Sequence, residues 1–258
     1  MWENELRVAI RAVLQAREKI MEIYKKPFAV EIKEDDSPVT MADKTADELI
    51  RHVISQAYPN HAFLTEESSD DKTRLQNDYV WIVDPVDGTK DFVDKNDEFT
   101  TNVALAFRHE VVVGVVLVPA TGELYYATRG NGSFYQRGNR IKKIHVNSKT
   151  KGLTVLTSRF HVNDKELATI EKHRDKIRYR KTYGSAIKPC RIARGVAEIT
   201  YRLSGGTKEW DTAASQIIVE EAGGVFVKPN GERILYNRED VYNREGYVVA
   251  NRIENLLL

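Results

Sequence analysis

The chain has 258 residues and a formal net charge of +1, because 39 Lys and Arg residues nearly balance 38 Asp and Glu residues. That balance excludes a global electrostatic attraction to nucleic acid or to an anionic membrane. The one cysteine, Cys190, cannot form an internal disulfide, which is typical of a reducing compartment. The first residues do not show the short apolar core and small-residue cleavage site of a leader, and no apolar run approaches 18 residues. We therefore expect a cytoplasmic protein without integral membrane association.

The first half of the chain predicts two helices followed by strands. Apolar residues recur every three to four positions from Trp2 to Tyr24, which indicates a long amphipathic helix. A polar loop from Lys33 to Pro38 leads to a second helix, from about Ala42 to Tyr58. The β-branched and aromatic run Tyr79–Val83 predicts a buried strand. The elements expected after it are a hairpin of Thr101–Phe107 and Val111–Val118, a strand at Leu124–Ala127, and a glycine-rich turn region from Gly130 to Gly138.

The pattern changes near Asn147–Gly152, where we place a boundary between residues 1–148 and residues 149–258. The second half alternates strands with helical stretches, which predicts two α/β layers on one chain. Its last long helix runs from about Trp210 to Ala222 and ends at Gly223-Gly224, a typical C-cap. The predicted strands are Leu153–Thr157, Ile177–Thr182, Glu198–Tyr201, Val225–Val227 and Tyr247–Ala250.

The most informative segment directly follows the Tyr79–Val83 strand. Asp84 and Asp87 stand three residues apart on a Pro/Gly turn, where oxygen ligands can converge on a hard divalent cation. Gly88 and Thr89 come next, where the start of a helix would present free N–H groups to an anion. Metal ligands beside an anion-binding helix start predict phosphate chemistry. Taken alone, however, Asp-Pro and Asp-Gly are also ordinary turn dipeptides.

Three further segments point in the same direction, although each also has a plain structural explanation. Glu66, in Thr65-Glu66-Glu67-Ser68, would place a carboxylate at a strand end, or it is simply solvated. Thr40 and Asp43 match a capping box at the start of the second helix. Asp211 stands near the start of the late helix, where it could merely compensate the helix dipole.

Motifs for rival chemistries are missing from the sequence. The acidic residues lack the alternate spacing and closing Glu of an EF-hand. Gly205-Gly206-Thr207-Lys208 does not complete a P-loop, and His109-Glu110 does not complete the zinc motif H-E-x-x-H. Gly130-Asn131-Gly132 lacks the third glycine and the βαβ context of a dinucleotide site.

Together the four acidic segments resemble the lithium-sensitive, magnesium-dependent phosphatase superfamily that includes inositol monophosphatase and fructose-1,6-bisphosphatase. The pattern D-P-x-D-G-T corresponds to Asp84–Thr89, E-E-S to Glu66–Ser68, and W-D-x-A-A to Trp210–Ala214. The motifs occur in the family's order and cover nearly the whole chain. The resemblance implies a layered α-β-α-β-α sandwich with the site between its halves. Residues 1–148 would carry most metal ligands, and residues 149–258 the substrate-binding residues and the last ligand.

Within that superfamily the chain is most similar to the 3′(2′),5′-bisphosphate nucleotidases, which hydrolyse 3′-phosphoadenosine 5′-phosphate to AMP. Lys33–Thr40 resembles their K-x-D-x-S-P-V-T segment, Gly184–Lys188 their G-S-x-x-K segment, and Glu209 opens their E-W-D. Lys90 after Asp-Gly-Thr is also typical of them. Two residues depart from the pattern, Ser215 where Gly is usual and Pro189 after the expected lysine.

The resemblance implies a role for each candidate site residue. Two or three Mg²⁺ ions would be held by Glu66, Asp84, the Val86 carbonyl, Asp87 and Asp211. Asp43 with Thr89 would position and deprotonate the attacking water, and the N–H groups of Gly88 and Thr89 would hold the scissile phosphate. Gly184, Ser185 and Lys188 would hold the rest of the nucleotide, Lys188 its 5′-phosphate. The expected partner is a small phosphorylated molecule, an adenosine bisphosphate, and not a nucleic acid; a homodimer is left open.

Three other functions share parts of this pattern. Inositol monophosphatase is the nearest rival, because the metal motif is common to both groups, and Lys90, Lys188 and Glu209 favour the nucleotidase. Fructose-1,6-bisphosphatase fits less well, since the chain is short for that branch. A non-catalytic phosphate or nucleotide sensor is disfavoured, because the candidate ligands are retained together with Asp43 and Thr89.

Overall fold

The computed structural model describes residues 1–32 and 38–258. Most of the Lys33–Thr40 motif, and of the polar loop predicted there, lies outside the described residues. The described part of the chain forms six α-helices, with short 3₁₀ turns at Thr73–Gln76 and Ile253–Asn255. The helices are α1 (Glu3–Tyr24), α2 (Met41–Ala57), α3 (Thr89–Val93), α4 (Asp164–Lys172), α5 (Ile187–Ala193) and α6 (Glu209–Glu221).

The strands form two large sheets and one small ribbon. The ribbon pairs β1 (Val30–Ile32) with β2 (Pro38–Thr40). The first large sheet has seven strands in chain order: β3 (Ala62–Thr65), β4 (Tyr79–Asp87), β5 (Thr100–Phe107), β6 (Glu110–Val118), β7 (Glu123–Thr128), β8 (Gly132–Arg137) and β9 (Arg140–Ile144). The second has five strands in the order β11-β10-β12-β14-β13: β10 (Leu153–Ser158), β11 (Ile177–Tyr183), β12 (Ile199–Arg202), β13 (Val225–Val227) and β14 (Tyr247–Ala250).

The elements stack in five layers, and strand β4 shows why. Successive side chains of a strand point to opposite faces. Trp81 and Val83 therefore pack with the apolar faces of α1 and α2, whereas Val80 and Ile82 pack with α5 and α6. The second sheet covers the far side of α5 and α6, and its outer face packs with Ile170 of α4. The order α-β-α-β-α confirms the predicted fold.

The middle helix α6 lies very close to the seven-stranded sheet. A Cβ atom on Gly114 of β6 would sit 2.4 Å from the Ala214 carbonyl oxygen and 2.5 Å from the side chain of Ile217. Only glycine leaves room for the helix backbone at that distance. This close approach holds the middle of α6 against β6.

Two local predictions were wrong. The Gly130–Gly138 region is a strand and its turns, because β8 pairs with β7 on one side and β9 on the other. Asp84 and Asp87 do not lie on a separate turn either: both belong to β4, whose pairing with β5 shifts register between them. Such an irregularity in a strand re-aims side chains next to functional sites.

Strand pairing changes from the first large sheet to the second between β9 and β10, close to the boundary predicted at residues 148/149. The hydrophobic core does not divide there, because residues such as Tyr125 and Leu156 belong to one continuous cluster around α5 and α6. The two-part division therefore stays a prediction. Within residues 1–32 and 38–258, none of the helices combines the length and hydropathy that a membrane span needs.

Candidate active site

Asp84 and Asp87 lie at the carboxyl end of β4, opposite two polar residues of β5. Asp84 is paired with Asn102 and Asp87 with Thr100. Both β5 residues donate to Oδ2 of Asp87, Thr100 Oγ1 at 3.1 Å and Asn102 Nδ2 at 3.2 Å. A third donor, the backbone N–H of Ala186, reaches the same oxygen at 2.8 Å. These bonds fix the Asp87 carboxylate through one oxygen, so that the other can serve as a ligand atom.

Glu66 and Asp211 approach the same strand end from two directions. Strand β3 runs parallel to β4, and the N–H of Glu66 donates to the Val83 carbonyl at 3.2 Å, directly beside Asp84. Asp211 lies in the first turn of α6 and accepts the backbone N–H of Lys208 on Oδ2, as a residue at that helical position often does. One carboxylate oxygen from each of Asp84, Asp87 and Asp211 lies within 4.8 Å of the other two.

The electrostatics of this cluster fit a divalent cation. Both carboxylate oxygens of Asp84 are buried and receive no hydrogen bond from any described residue. Burial raises the pKa of Asp84 well above its usual range, and the charges of Glu66, Asp87 and Asp211 raise it further. Burial and the charges of Asp87 and Glu66 raise the pKa of Asp211 to about 8. Several carboxylates this close cannot all ionise in a dry site unless a positive charge joins them.

Asp43 and Thr89 meet at the edge of the cluster. Asp43 is almost fully buried in the first turn of α2, and its Oδ2 accepts from the Thr40 N–H at 2.8 Å and the Thr40 hydroxyl at 2.6 Å. This is the predicted capping box. The other oxygen, Oδ1, lies 3.3 Å from the Thr89 hydroxyl, which is also 3.4 Å from the Val86 carbonyl. Burial raises the pKa of Asp43 to about 6, although the bonds from Thr40 oppose the rise.

The turn after β4 packs against the turn before α5. Gly88 has a φ of 90°, and a Cβ atom there would sit 2.1 Å from the Ser185 hydroxyl. That hydroxyl lies 2.7 Å from the Asp87 carbonyl and 2.8 Å from the Glu98 carbonyl. A Cβ atom on Gly184 would sit 2.5 Å from the same Glu98 carbonyl oxygen, and its N–H donates to the Glu98 carboxylate at 2.8 Å. Both glycines are therefore required by close approach rather than by substrate contact alone.

Lys188 lies at the start of α5 with 8% of its surface exposed. Its ammonium donates to the Ser185 carbonyl at 2.8 Å and the Tyr183 carbonyl at 3.3 Å. Burial lowers the pKa of Lys188, while the Asp87 carboxylate acts in the opposite direction. The lysine therefore secures the turn that carries Ser185 and also places a positive charge next to the acidic cluster.

One cleft of about 370 Å³ collects most of the predicted residues. Asp43 and Gly184 do not line it, but Asp43 contacts the lining residue Thr89 and Gly184 directly precedes the lining residue Ser185. The predicted residues that line it are Glu66, Asp84, Val86, Asp87, Gly88, Thr89, Ser185, Lys188 and Asp211. Lys90, which the sequence singled out as typical of the nucleotidases, also lines it.

The sequence analysis missed the wall opposite the acidic cluster. Phe160 and His161 line the cleft after β10, and Arg202 lines it at the end of β12. Ligands of α/β folds commonly bind beyond the carboxyl ends of parallel strands, and β10 and β12 are parallel. That rule could have directed attention to the ends of β10 and β12.

This wall is electropositive. Arg202 donates to the His161 carbonyl at 2.6 Å, and its Nε is buried without a partner among the described residues. Partial removal from water lowers the pKa of His161, and the positive charges of Arg202, Lys90 and Lys188 lower it further. The same three positive charges favour the binding of an anion beside them. The cleft can thus hold cations at the carboxylate cluster and an anionic group at these basic side chains.

Residues 1–258 match the family model described as the inositol monophosphatase family. The 3′(2′),5′-bisphosphate nucleotidase CysQ of Salmonella typhimurium is 34% identical over 241 residues, covering 91% of this chain and 95% of that protein. The Nus factor SuhB of Pasteurella multocida is 32% identical over 234 residues, covering 88% and 85%. The crystal structure of CysQ from Bacteroides thetaiotaomicron has a TM-score of 0.85 at 32% identity, covering 98% of this chain and 99% of that chain. The match over the whole sequence shows that the chain belongs to the inositol monophosphatase family.

Proposed function

We propose that this protein is a Mg²⁺-dependent phosphomonoesterase that removes the 3′-phosphate from 3′-phosphoadenosine 5′-phosphate and releases AMP. The observation that carries the proposal is that one cleft is lined both by a carboxylate cluster and by three basic side chains, Lys90, Lys188 and Arg202. A substrate with two phosphates would use both sets of side chains, with one phosphate at the carboxylate cluster and the other against the basic side chains. An inositol monophosphate has only one phosphate and would leave the second contact unused.

The carboxylate cluster suits the metal dependence of the family. Glu66, Asp84 and the Val86 carbonyl would hold one Mg²⁺, and Asp84, Asp87 and Asp211 a second. When bound, the ions neutralise the charge that develops on the transferring phosphoryl oxygens. The orphaned oxygens of Asp84 support this assignment, because an ionised carboxylate buried without donors needs a cation. The choice of Mg²⁺ and the number of ions, two or three, are part of the proposal.

Asp43 and Thr89 would handle the proton of the attacking water. The Thr89 hydroxyl lies within hydrogen-bond reach of Asp43 Oδ1, while Thr40 holds the other oxygen of Asp43. A pKa near 6 leaves Asp43 mostly ionised at neutral pH and still basic enough to accept a proton. Attack of the water oxygen on phosphorus breaks the bond between phosphorus and the 3′-oxygen, which takes up a proton from solvent and leaves as the 3′-hydroxyl of AMP. The N–H groups of Gly88 and Thr89 would hold the phosphate during the reaction.

The second half of the chain would recognise the nucleotide. The Ser185 turn and Lys188 border the acidic cluster, and Arg202 lies on the far wall. The Lys188 ammonium has three N–H donors, and two of them bond the carbonyls of Tyr183 and Ser185. The third N–H would bind the 5′-phosphate. Gly184 would serve by letting this turn pass close to Glu98.

Phosphate release from three substrates tests the function directly. We expect kcat/KM for 3′-phosphoadenosine 5′-phosphate to exceed that for 3′-AMP by about 10- to 150-fold, the value of one charge-assisted hydrogen bond. Inositol 1-phosphate is the substrate of the rival function. A higher kcat/KM for inositol 1-phosphate would contradict the nucleotidase proposal and support the monophosphatase. Nucleotide binding without Mg²⁺-dependent turnover of any of the three would instead support a sensor.

Two further parts of the expectation stay proposals. A cytoplasmic location is supported by the single cysteine, Cys190, which is buried and cannot pair within the chain. Whether the chain acts as a monomer or a homodimer is decided by light scattering at assay concentration.

A further inference from the structure

Glu209 faces away from the cleft, although it stands only two residues before Asp211. Its side chain is fully buried and is not part of the cleft lining. One carboxylate oxygen, Oε2, accepts the N–H of Asn237 at 2.7 Å. The other, Oε1, accepts the N–H of Arg238 at 2.8 Å and its Nε at 3.2 Å. A buried carboxylate with three donors in fixed directions specifies the position of the segment that supplies them.

Arg238 in turn fixes the position of the residues that follow it in the chain. Its guanidinium donates to the carbonyls of Val241 and Tyr242, both at 3.2 Å, and to Asn243 Oδ1 at 2.8 Å. The Val241 carbonyl in turn accepts the N–H of Glu209 at 2.9 Å. The segment Asn237–Asn243 is therefore closed around the first turn of α6.

Asn243 completes the connection to Asp211. Its Nδ2 donates to the Lys208 carbonyl at 2.9 Å and lies 3.3 Å from the Thr212 hydroxyl. The N–H of Lys208 donates to the Asp211 carboxylate. The bonds of Asn243 thus hold the turn from Lys208 to Thr212, and with it the direction of the Asp211 side chain.

The segment Asn237–Asn243 is also hydrogen-bonded to Arg74, in the part of the chain that follows Glu66. Arg74 is 2% exposed and donates to both oxygens of Asp70, four residues after Glu66. It also donates to Asn237 Oδ1 at 2.8 Å and to the Arg238 carbonyl at 3.0 Å. Asn237 returns a bond to the Arg74 carbonyl at 3.1 Å. One continuous hydrogen-bond network therefore runs from Asp70, at the surface, through the buried Arg74 to Asp211.

We propose that Glu209 is a positioning residue for the metal site and that, through Arg238 and Arg74, it sets the spacing between Asp211 and Glu66. The inference rests on the proposed function, because it takes these two residues as metal ligands. Partners that orient metal ligands are commonly worth about 10- to 100-fold in metal affinity. Glu209 would therefore control the affinity for divalent cations and leave the recognition of substrate to the cleft.

The test is Mn²⁺ binding, followed by electron paramagnetic resonance of the free ion, in the full-length protein. Glu209→Gln keeps the size of the side chain but replaces one acceptor oxygen with an amide that cannot accept. We expect Mn²⁺ to bind about 10- to 100-fold more weakly. At saturating Mg²⁺ we expect kcat and the KM for 3′-phosphoadenosine 5′-phosphate to return to within a few-fold of wild type.

Glu198→Gln is the matched control. Glu198 is also fully buried and accepts the Thr154 N–H and Asn147 Nδ2, both at 2.6 Å, but it has no bond to the segments that carry Glu66 or Asp211. This variant should lose stability and keep wild-type Mn²⁺ affinity. Equal loss of Mn²⁺ affinity in both variants would overturn the inference, because general loosening would then explain the effect.

Arg74→Lys tests the network at the end that lies near Glu66. If Glu209→Gln does not fold, this variant tests the inference in its place. It should also weaken Mn²⁺ binding, and the double variant should be less affected than the product of the two single effects predicts. Folded variants that bind Mn²⁺ as tightly as wild type would overturn the inference and leave the proposed function standing. Failure of the wild-type protein to bind Mn²⁺ would overturn the metal site itself and the inference with it.

Discussion

Replacing Asp43 by asparagine separates the helix-capping role seen in the structure from the proposed role of this side chain as general base. As the third residue of α2, Asp43 accepts two bonds from Thr40, which closes the helix cap. Through its other oxygen it contacts Thr89, where we place the general base. An asparagine oxygen can still accept from Thr40, so the cap largely survives while the basic carboxylate is lost.

The size of both effects follows from the burial of Asp43. Loss of a general base lowers kcat by about 10²- to 10⁴-fold with little change in KM. The free energy of unfolding, in contrast, should not fall. The folded protein raises the pKa of Asp43 to about 6, so above pH 6 it carries a charge that costs free energy. The gap between about 6 and the ordinary 3.8 corresponds to at most about 3 kcal/mol. The variant should therefore be as stable as the wild type at pH 7.5, or more stable.

Steady-state phosphate release at saturating Mg²⁺ and thermal unfolding in EDTA measure the two effects. Thr40→Ala is the comparison variant, because it removes the capping hydroxyl and keeps the carboxylate. It should cost about 1 kcal/mol of stability and keep kcat within tenfold. Without that hydrogen bond the pKa of Asp43 should rise, which moves the acid limb of the rate profile to higher pH. If Asp43→Asn lost about 1 kcal/mol and kept a wild-type kcat, Asp43 would be a helix cap only.

Three further predictions concern the metal ligands and Lys188. Asp87→Asn should stay folded by circular dichroism and lose nearly all activity, and millimolar Li⁺ should inhibit the wild type; full wild-type rates in EDTA would refute the metal assignment. In EDTA the melting temperature should fall from about pH 5 to pH 8, since the folded protein keeps a proton on Asp211 up to about pH 8 that the unfolded chain releases near 3.8. Mg²⁺ should reverse this loss most at pH 8, and a melting temperature that rose with pH in EDTA would contradict the argument. Lys188→Ala should lower kcat/KM for 3′-phosphoadenosine 5′-phosphate by about 10- to 150-fold and affect 3′-AMP and inositol 1-phosphate less. Equal losses on all three substrates would mean that Lys188 acts only by holding the carbonyls of Tyr183 and Ser185.

Local sequence patterns were sufficient to predict an element or a candidate site wherever the residues that specify it lie close together in the chain. Tyr79–Asp87 combines a β-branched strand with two candidate ligand residues, and Gly88 and Thr89 follow at once. The strand, the candidate ligands and the turn can therefore be recognised in a single window. The capping box of Thr40 and Asp43 spans only one helical turn. These short-range relations, taken in order, indicated the family and with it the layered fold.

Pairing with neighbouring strands corrected the local prediction in two places. Gly130–Gly138 has the composition of a turn region, yet Gly132–Arg137 is a strand because β7 and β9 supply hydrogen-bond partners on both sides. The register shift between Asp84 and Asp87 depends on β5 and cannot be seen in the residues of β4 alone. Sheet pairing is set by neighbours along the sheet more than by intrinsic preference.

The direction and environment of side chains were decided only by the tertiary structure. Glu209 and Asp211 belong to one motif, but two residues along a helix are turned by about 200°, so one enters the buried network and the other the cleft. Arg202 joins His161 in the cleft only because β10 and β12 bring the ends of distant segments together. Burial also raises the pKa of Asp43 and Asp211, and a sequence contains no measure of burial at a given carboxylate. The residue types therefore specified the chemistry of the cleft, and long-range packing set its geometry and charge.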